Sequence, residues 1–146
     1  MAGGPSNSPT PRPTAPVRDS RLRVRAIPIF VLLLAEILLG NQLAVVGSPY
    51  PIGYLAAHVA LSLLLVGFTG HAFVLSVRLP KVSARACAGL TFLATLGATV
   101  SGTLFLLAGE SSSALVGMES LGGLALLGAL LLMVFGSVKV PSAPAR

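Results

Sequence analysis

Four long apolar runs fill most of this chain, each bounded by a short cluster of Pro, Gly, Ser or charged residues. They cover about residues 26–46, 52–77, 84–108 and 114–138. A helix needs about 20 predominantly apolar residues to cross a bilayer, so each run is long enough for one crossing. Gly47-Ser48-Pro49-Tyr50-Pro51 parts the first run from the second, because closely spaced prolines stop a helix. Arg78-Leu79-Pro80-Lys81 closes the second, and Gly109-Glu110-Ser111-Ser112-Ser113 parts the third from the fourth. Connections this short make consecutive helices antiparallel neighbours. The pattern predicts an all-α fold, a four-helix transmembrane bundle running up-down-up-down over residues 22–140. Residues 1–21 carry five prolines in the first sixteen positions among Ser, Thr, Gly and Asn, and build no apolar face. They read as a disordered cytoplasmic tail, with a second short tail at 141–146.

Charge then orients the bundle. Arg12, Arg18, Arg21, Arg23 and Arg25 precede the first run, Arg78, Lys81 and Arg85 lie between the second and third, and Lys139 and Arg146 end the chain. All ten basic residues therefore fall on one side of the spans. Short cytoplasmic loops retain Lys and Arg, so the pattern predicts a multi-pass protein of the plasma (inner) membrane with both termini cytoplasmic. A cleaved signal peptide over residues 1–46 fits poorly, since its apolar stretch contains Glu36 and lacks a small-residue cleavage site. The chain is 54% hydrophobic and 10% charged, against about 25% charged in soluble domains. The net charge of +6 flanks apolar runs and has no aromatic platform beside it, which argues against nucleic acid and for anionic lipid. The implied partners are the lipid bilayer and either a second copy of the chain or another subunit of a membrane complex; oligomeric state stays open. The lone Cys87 forms no internal disulfide and reads as small buried filler.

Helix packing is partly legible. Ala94, Ala98 and Gly102 recur every fourth residue on the third run, a small-residue ridge that lets another backbone come close. Ala125 and Ala129 repeat the pattern on the fourth. Thr91, Thr95, Thr99 and Thr103 form a parallel stripe whose hydroxyls either bond their own helix or make a polar seam inside the bundle.

Ionisable groups inside a spanning helix cost about 2.5–3.5 kcal/mol at its centre on insertion scales, so each needs a reason. Glu36, His58 and His71 stand out. Counting back from the external turn places Glu36 roughly 7 Å deeper than His58, with Asn41 between them in depth, a gap that two long side chains can close, and predicts one hydrogen-bonded network in that half. His71 lies deeper, with Thr91 at matching depth on the third run. His58 and His71 are 13 residues apart, which turns them by about 220° to different helix faces and disfavours two haems stacked on one face. A haem b held by His58 and/or His71, with Met118 and Met133 at matching depths on the fourth run, remains an alternative. No phosphate loop, paired catalytic carboxylates, zinc spacing or Ser–His–Asp set is visible, so no enzyme activity and no catalytic or metal residue is expected. The leading expectation is a structural or accessory membrane protein. The haem cytochrome comes second. A proton-coupled small-molecule transporter, in which Glu36 trades a proton for a cationic substrate, comes third.

Two resemblances bear on this. Ala35-Glu36-Ile37 within an apolar run looks like the first helix of small multidrug transporters. The chain lacks the Trp which that family carries in its third span, and its charge bias differs from that family's dual-orientation design. More broadly, Leu55-Ala56-Ala57-His58 and Ser111-Ser112-Ser113 leading to Met118 resemble a family of small uncharacterised four-helix integral membrane proteins from high-GC actinobacteria. That resemblance implies fold and topology and no particular activity.

Overall fold

In the computed structural model, four helices account for nearly all of the described residues, which are 17–19, 21–107, 112–136 and 138–140. They are α1 (Arg21–Val46), α2 (Ile52–Val77), α3 (Val82–Leu107) and α4 (Ser112–Phe135). All four are long and apolar enough to cross a membrane. Each packs on the next and α4 returns to α1, so the bundle is a closed ring of antiparallel neighbours. Large apolar side chains such as Val24, Leu38, Leu63, Leu93 and Val134 cover its outside, as a surface in contact with lipid requires. The chain is a small integral membrane protein.

Two ends of the bundle can be told apart. At the hairpin end α1 turns into α2 and α3 into α4; the opposite end carries the termini. Gly47, at φ 69°, ends α1 in the left-handed conformation that a side chain disfavours, and its N–H donates to Leu43 O at 3.0 Å. Pro51 caps α2, whose first bond runs from Leu55 N–H to Pro51 O at 3.1 Å. Pro28 sits within the first two turns of α1. Among the described residues, every Lys and Arg in the helices and their connections lies at the termini end.

The fourth helix is shorter than its apolar run suggests. It ends at Phe135, and Val138–Val140 is extended, pairing antiparallel with Val17–Asp19. The β-branched valines suit a strand, and the buried Gly136 turns the chain between helix and strand with its N–H on Leu132 O at 2.7 Å. Of the expected N-terminal tail, 17–19 therefore form a strand, while 1–16 and 141–146 lie outside the described residues.

The termini half is packed shut. Ile29, Leu33, Leu65, Ala72, Ala94, Ala125 and Ala129 make one buried cluster. Leu22, Ala26, Ala84, Cys87, Ala88 and Leu132 make another, nearer the end. Phe73 and Phe92 stack between α2 and α3 with centroids 5.7 Å apart, Phe92 lying over Gly70 and Phe73 over Gly89. The tightest α3–α4 contact pairs Gly128 with Thr91. The expected ridge of Ala94, Ala98 and Gly102 is only partly this seam. Ala94 is buried, Gly97 meets Leu121, and Ala98 turns toward the open hairpin half instead. One residue is about 100° of helix, so the seam runs beside the Ala98 stripe.

Candidate functional site

The hairpin half holds an open cavity of about 590 Å³ with walls from all four helices. Its floor is the packed cluster just described, where Leu33, Leu65 and Ala125 belong to both. Most of the wall is aliphatic. The polar exceptions gather at Glu36, which projects from α1 toward α2.

Glu36 Oε1 accepts the hydroxyl proton of Ser62 and lies 3.1 Å from His58 Nδ1. The imidazole contact is close yet misaligned for a full hydrogen bond, so its attraction is mainly electrostatic. His58 and Ser62 are one turn apart and share a face of α2, which is why both reach the same carboxylate. Gly40 makes room for the ring. A side-chain carbon there would stand 3.3 Å from His58 Cε1. The side chains of His58 and Glu36 are only 16% and 14% exposed, and Glu36 Oε2 is buried with no hydrogen-bond donor. A buried oxygen left in that state costs about 1–3 kcal/mol, so it calls for a physical explanation.

The opposite wall, from α3, offers oxygens whose protons are already committed. Thr95 donates to Thr91 O at 2.7 Å, Thr99 to Thr95 O at 3.0 Å and Thr103 to Thr99 O at 2.9 Å. The threonine stripe therefore bonds its own helix and lines the cavity at once, presenting acceptor lone pairs to the interior. α4 contributes Met118, packed against Gly102, and Glu119 near the α1 side. Among the described residues, the lining contains no Lys or Arg.

Of the residues singled out in the sequence, Glu36, Asn41, His58 and Met118 line this one cavity. Asn41 is exposed at its edge, and the hydroxyl that bonds Glu36 is that of Ser62. His71 and Thr91 do not pair. Thr91 is buried, gives its proton to Cys87 O at 2.8 Å and packs on Gly128, while His71 is exposed on the outer face of α2. The 13-residue spacing accounts for this: once His58 faces inward, His71 points away. Met133 packs in the cluster around Cys87 and Leu132, outside the cavity. The deeper His71–Met133 haem pair thus has no common site, whereas His58 and Met118 do. Ser62 and Glu119 were missed in the sequence. Ser62 was readable as the position one turn beyond His58. Glu119 is a fourth ionisable group in a spanning helix, seven residues into α4.

Comparison with protein families, with curated proteins and with solved structures gave no match.

Proposed function

We propose that this integral membrane protein is an accessory binding protein whose hairpin-half cavity accepts a small lipophilic ammonium ion or amine. The observation that carries this reading is the Glu36 carboxyl group, its Oε2 buried and lacking a donor, in a cavity whose described lining residues include no Lys or Arg. Ser62 and the α3 threonines have spent their hydroxyl protons, so the site is rich in acceptors. A ligand bringing its own N–H donors and a positive charge complements such a wall through charge-assisted hydrogen bonds. Its apolar body fits along Leu33, Ile37 and Leu65. The volume lies within the range of about 300–1,000 Å³ usual for small-molecule sites. The basic residues at the termini end support an orientation with that end in the cytoplasm, which would set the cavity in the outer half of the plasma membrane. The cluster is assigned no bond-making step. Proton-coupled transport would add a second conformation with the termini half open, and the packed clusters there favour binding alone.

The test is titration of the detergent-purified protein with an alkylammonium carrying a dansyl group at its far end. Saturable binding that is lost in Glu36→Gln and kept in His71→Ala is expected. Equal binding of the uncharged alcohol analogue would overturn the reading.

A haem b site is the second reading, favoured by His58 and Met118 lining one cavity while a carboxylate sits beside His58 Nδ1. A carboxylate in that position orients a metal-bound imidazole. Against it, no basic side chain in the lining would meet haem propionates. An absorption spectrum of the purified protein decides: a Soret band with reducible α and β bands selects haem, and a colourless protein removes it.

A further inference from the structure

We infer that the outer face of α2 is a docking surface for a second copy of this chain, with His71 hydrogen-bonded to the partner subunit's His71 across a twofold axis. His71 sits six residues before the end of α2, about 9 Å inside the spanning segment, and is exposed on the outside of the bundle. Among the described residues it has no hydrogen-bond partner. An ionisable side chain in a spanning helix is unfavourable against lipid tails and normally meets a polar group inside the protein or on a neighbouring helix.

The same face carries glycines that nothing inside the chain uses. A glycine in a helix interior costs about 1 kcal/mol relative to Ala, so each calls for a reason. Gly70 lies under Phe92, Gly89 under Phe73, Gly97 under Leu121 and Gly102 against Met118. A side-chain carbon at Gly53 or Gly67 would meet no atom within 4 Å. Gly53, Ala57, Ala60, Leu64, Gly67 and His71 are all exposed and follow one another at alternating steps of four and three residues. That is a 3.5-residue repeat, which keeps one seam of a helix against a partner along a left-handed crossing. Gly53, Ala60 and Gly67 span about 21 Å of helix and let a facing backbone approach closely. Gly123 of α4 is open as well, but its row runs on into the bulky Leu127, Leu130 and Val134.

The occupant is a second copy because the face is complementary to itself. All ten basic residues lie on one side of the spans, which favours a single orientation for every copy and sets equal residues at equal depth. A neutral imidazole has one donor and one acceptor, so two of them at a twofold axis form an N–H···N bond without a third group. At the foot of the row Arg78 caps α2, where its charge reaches water.

Disulfide trapping of the full chain in native membranes, in a Cys87→Ala background, tests this. Ala60→Cys and Leu64→Cys should give oxidised dimers. Val59→Cys, about 100° round α2 from Ala60, and Leu93→Cys on the outside of α3 should not. Single-molecule photobleaching in liposomes then reads the dimer dissociation constant. Gly67→Leu adds bulk where the single chain has room, and should raise that constant by about tenfold or more. Gly67→Ala, as small as Ala60 one heptad earlier, should keep the dimer. His71→Ala should raise the constant by about three- to tenfold, and His71→Asn, whose amide also pairs with its twin, should restore most of the affinity. Equal trapping at Val59→Cys and Ala60→Cys, or a wild-type chain that is monomeric at every lipid dilution, would overturn the interface. So would a Gly67→Leu chain with wild-type unfolding temperature and unchanged dimer affinity. An unchanged constant in His71→Ala would overturn the imidazole pairing.

Discussion

Gly128 of α4 lies directly against Thr91 of α3, where an added side-chain carbon would stand 2.6 Å from Thr91 Oγ1 and 3.1 Å from its backbone nitrogen. Backbone cannot yield as a flexible side chain can, so the contact fixes how closely the two helices approach. Membrane helices associate through such close packing because lipid supplies no hydrophobic drive between them. Gly128→Ala should destabilise the bundle by about 1–3 kcal/mol through overpacking, despite the better helix propensity of Ala. Gly67→Ala, on open surface, should be neutral to slightly stabilising. Thermal unfolding in detergent compares the two, and equal stabilities would show that the α3–α4 seam tolerates separation.

Ala98 supplies a contrasting case. It is half-buried on the cavity wall, beside the seam rather than in it. Ala98→Leu should therefore leave the unfolding temperature nearly unchanged and occupy cavity volume, weakening the dansyl alkylammonium probe by tenfold or more. A large loss of stability with binding intact would place Ala98 against a neighbouring helix.

The Ser62–Glu36 bond can be weighed by a double-mutant cycle. Ser62→Ala alone removes the carboxylate's hydroxyl donor and should cost about 1–3 kcal/mol. Glu36→Leu removes the acceptor, after which Ser62→Ala should cost much less, because no buried carboxyl oxygen is then left short of a donor. The non-additivity is the measurement, and strictly additive losses would show that the two side chains do not interact.

These residues also show how much of the site was legible in the sequence. The four spans follow from apolar run length, which depends on the bilayer and hardly on tertiary detail. Glu36 and His58 could be matched in depth because a short hairpin fixes the register of antiparallel helices. The His71–Thr91 pairing failed because depth says nothing of azimuth: Thr91 faces α4, and His71 faces outward. The cavity was invisible because it depends on helices that close at Phe73–Phe92 and Gly128–Thr91 and diverge to leave a hollow in the hairpin half. No local pattern encodes that divergence. The Val17–Asp19 pairing with Val138–Val140 is a contact between opposite ends of the chain, beyond the reach of any window.

Lys81 ties α3 to the end of α4. Its ammonium donates to Phe135 O at 3.0 Å and lies 5.8 Å from the Phe135 ring centroid. A cation at a helix C-terminus satisfies a carbonyl that lacks an intrahelical partner and complements the helix dipole. Lys81→Met should fray the last turn of α4, costing about 0.3–1 kcal/mol. Hydrogen–deuterium exchange over residues 132–136 should quicken, while exchange in the cavity-lining part of α4 should not. Unchanged protection at 132–136 would show that Gly136 alone secures that end.

Orientation is open to a direct chemical test. All ten Lys and Arg residues lie in segments that a four-span bundle puts on the termini side, and the two hairpin connections carry none. The proposed orientation, with the short basic segments retained in the cytoplasm, has the hairpin end and the cavity with it outside. In a Cys87→Ala background, Ser112→Cys at the start of α4 should react with a membrane-impermeant maleimide on intact cells. Arg78→Cys, exposed at the end of α2, should react only after the membrane is opened. Replacing Arg78 with Cys leaves nine basic residues on that side, so the reporter itself does not redirect insertion. The reverse labelling pattern would turn the cavity toward the cytoplasm and change the pool from which a lipophilic amine could reach Glu36. Labelling of both sites on intact cells would mean that the chain inserts in both orientations despite its charge bias.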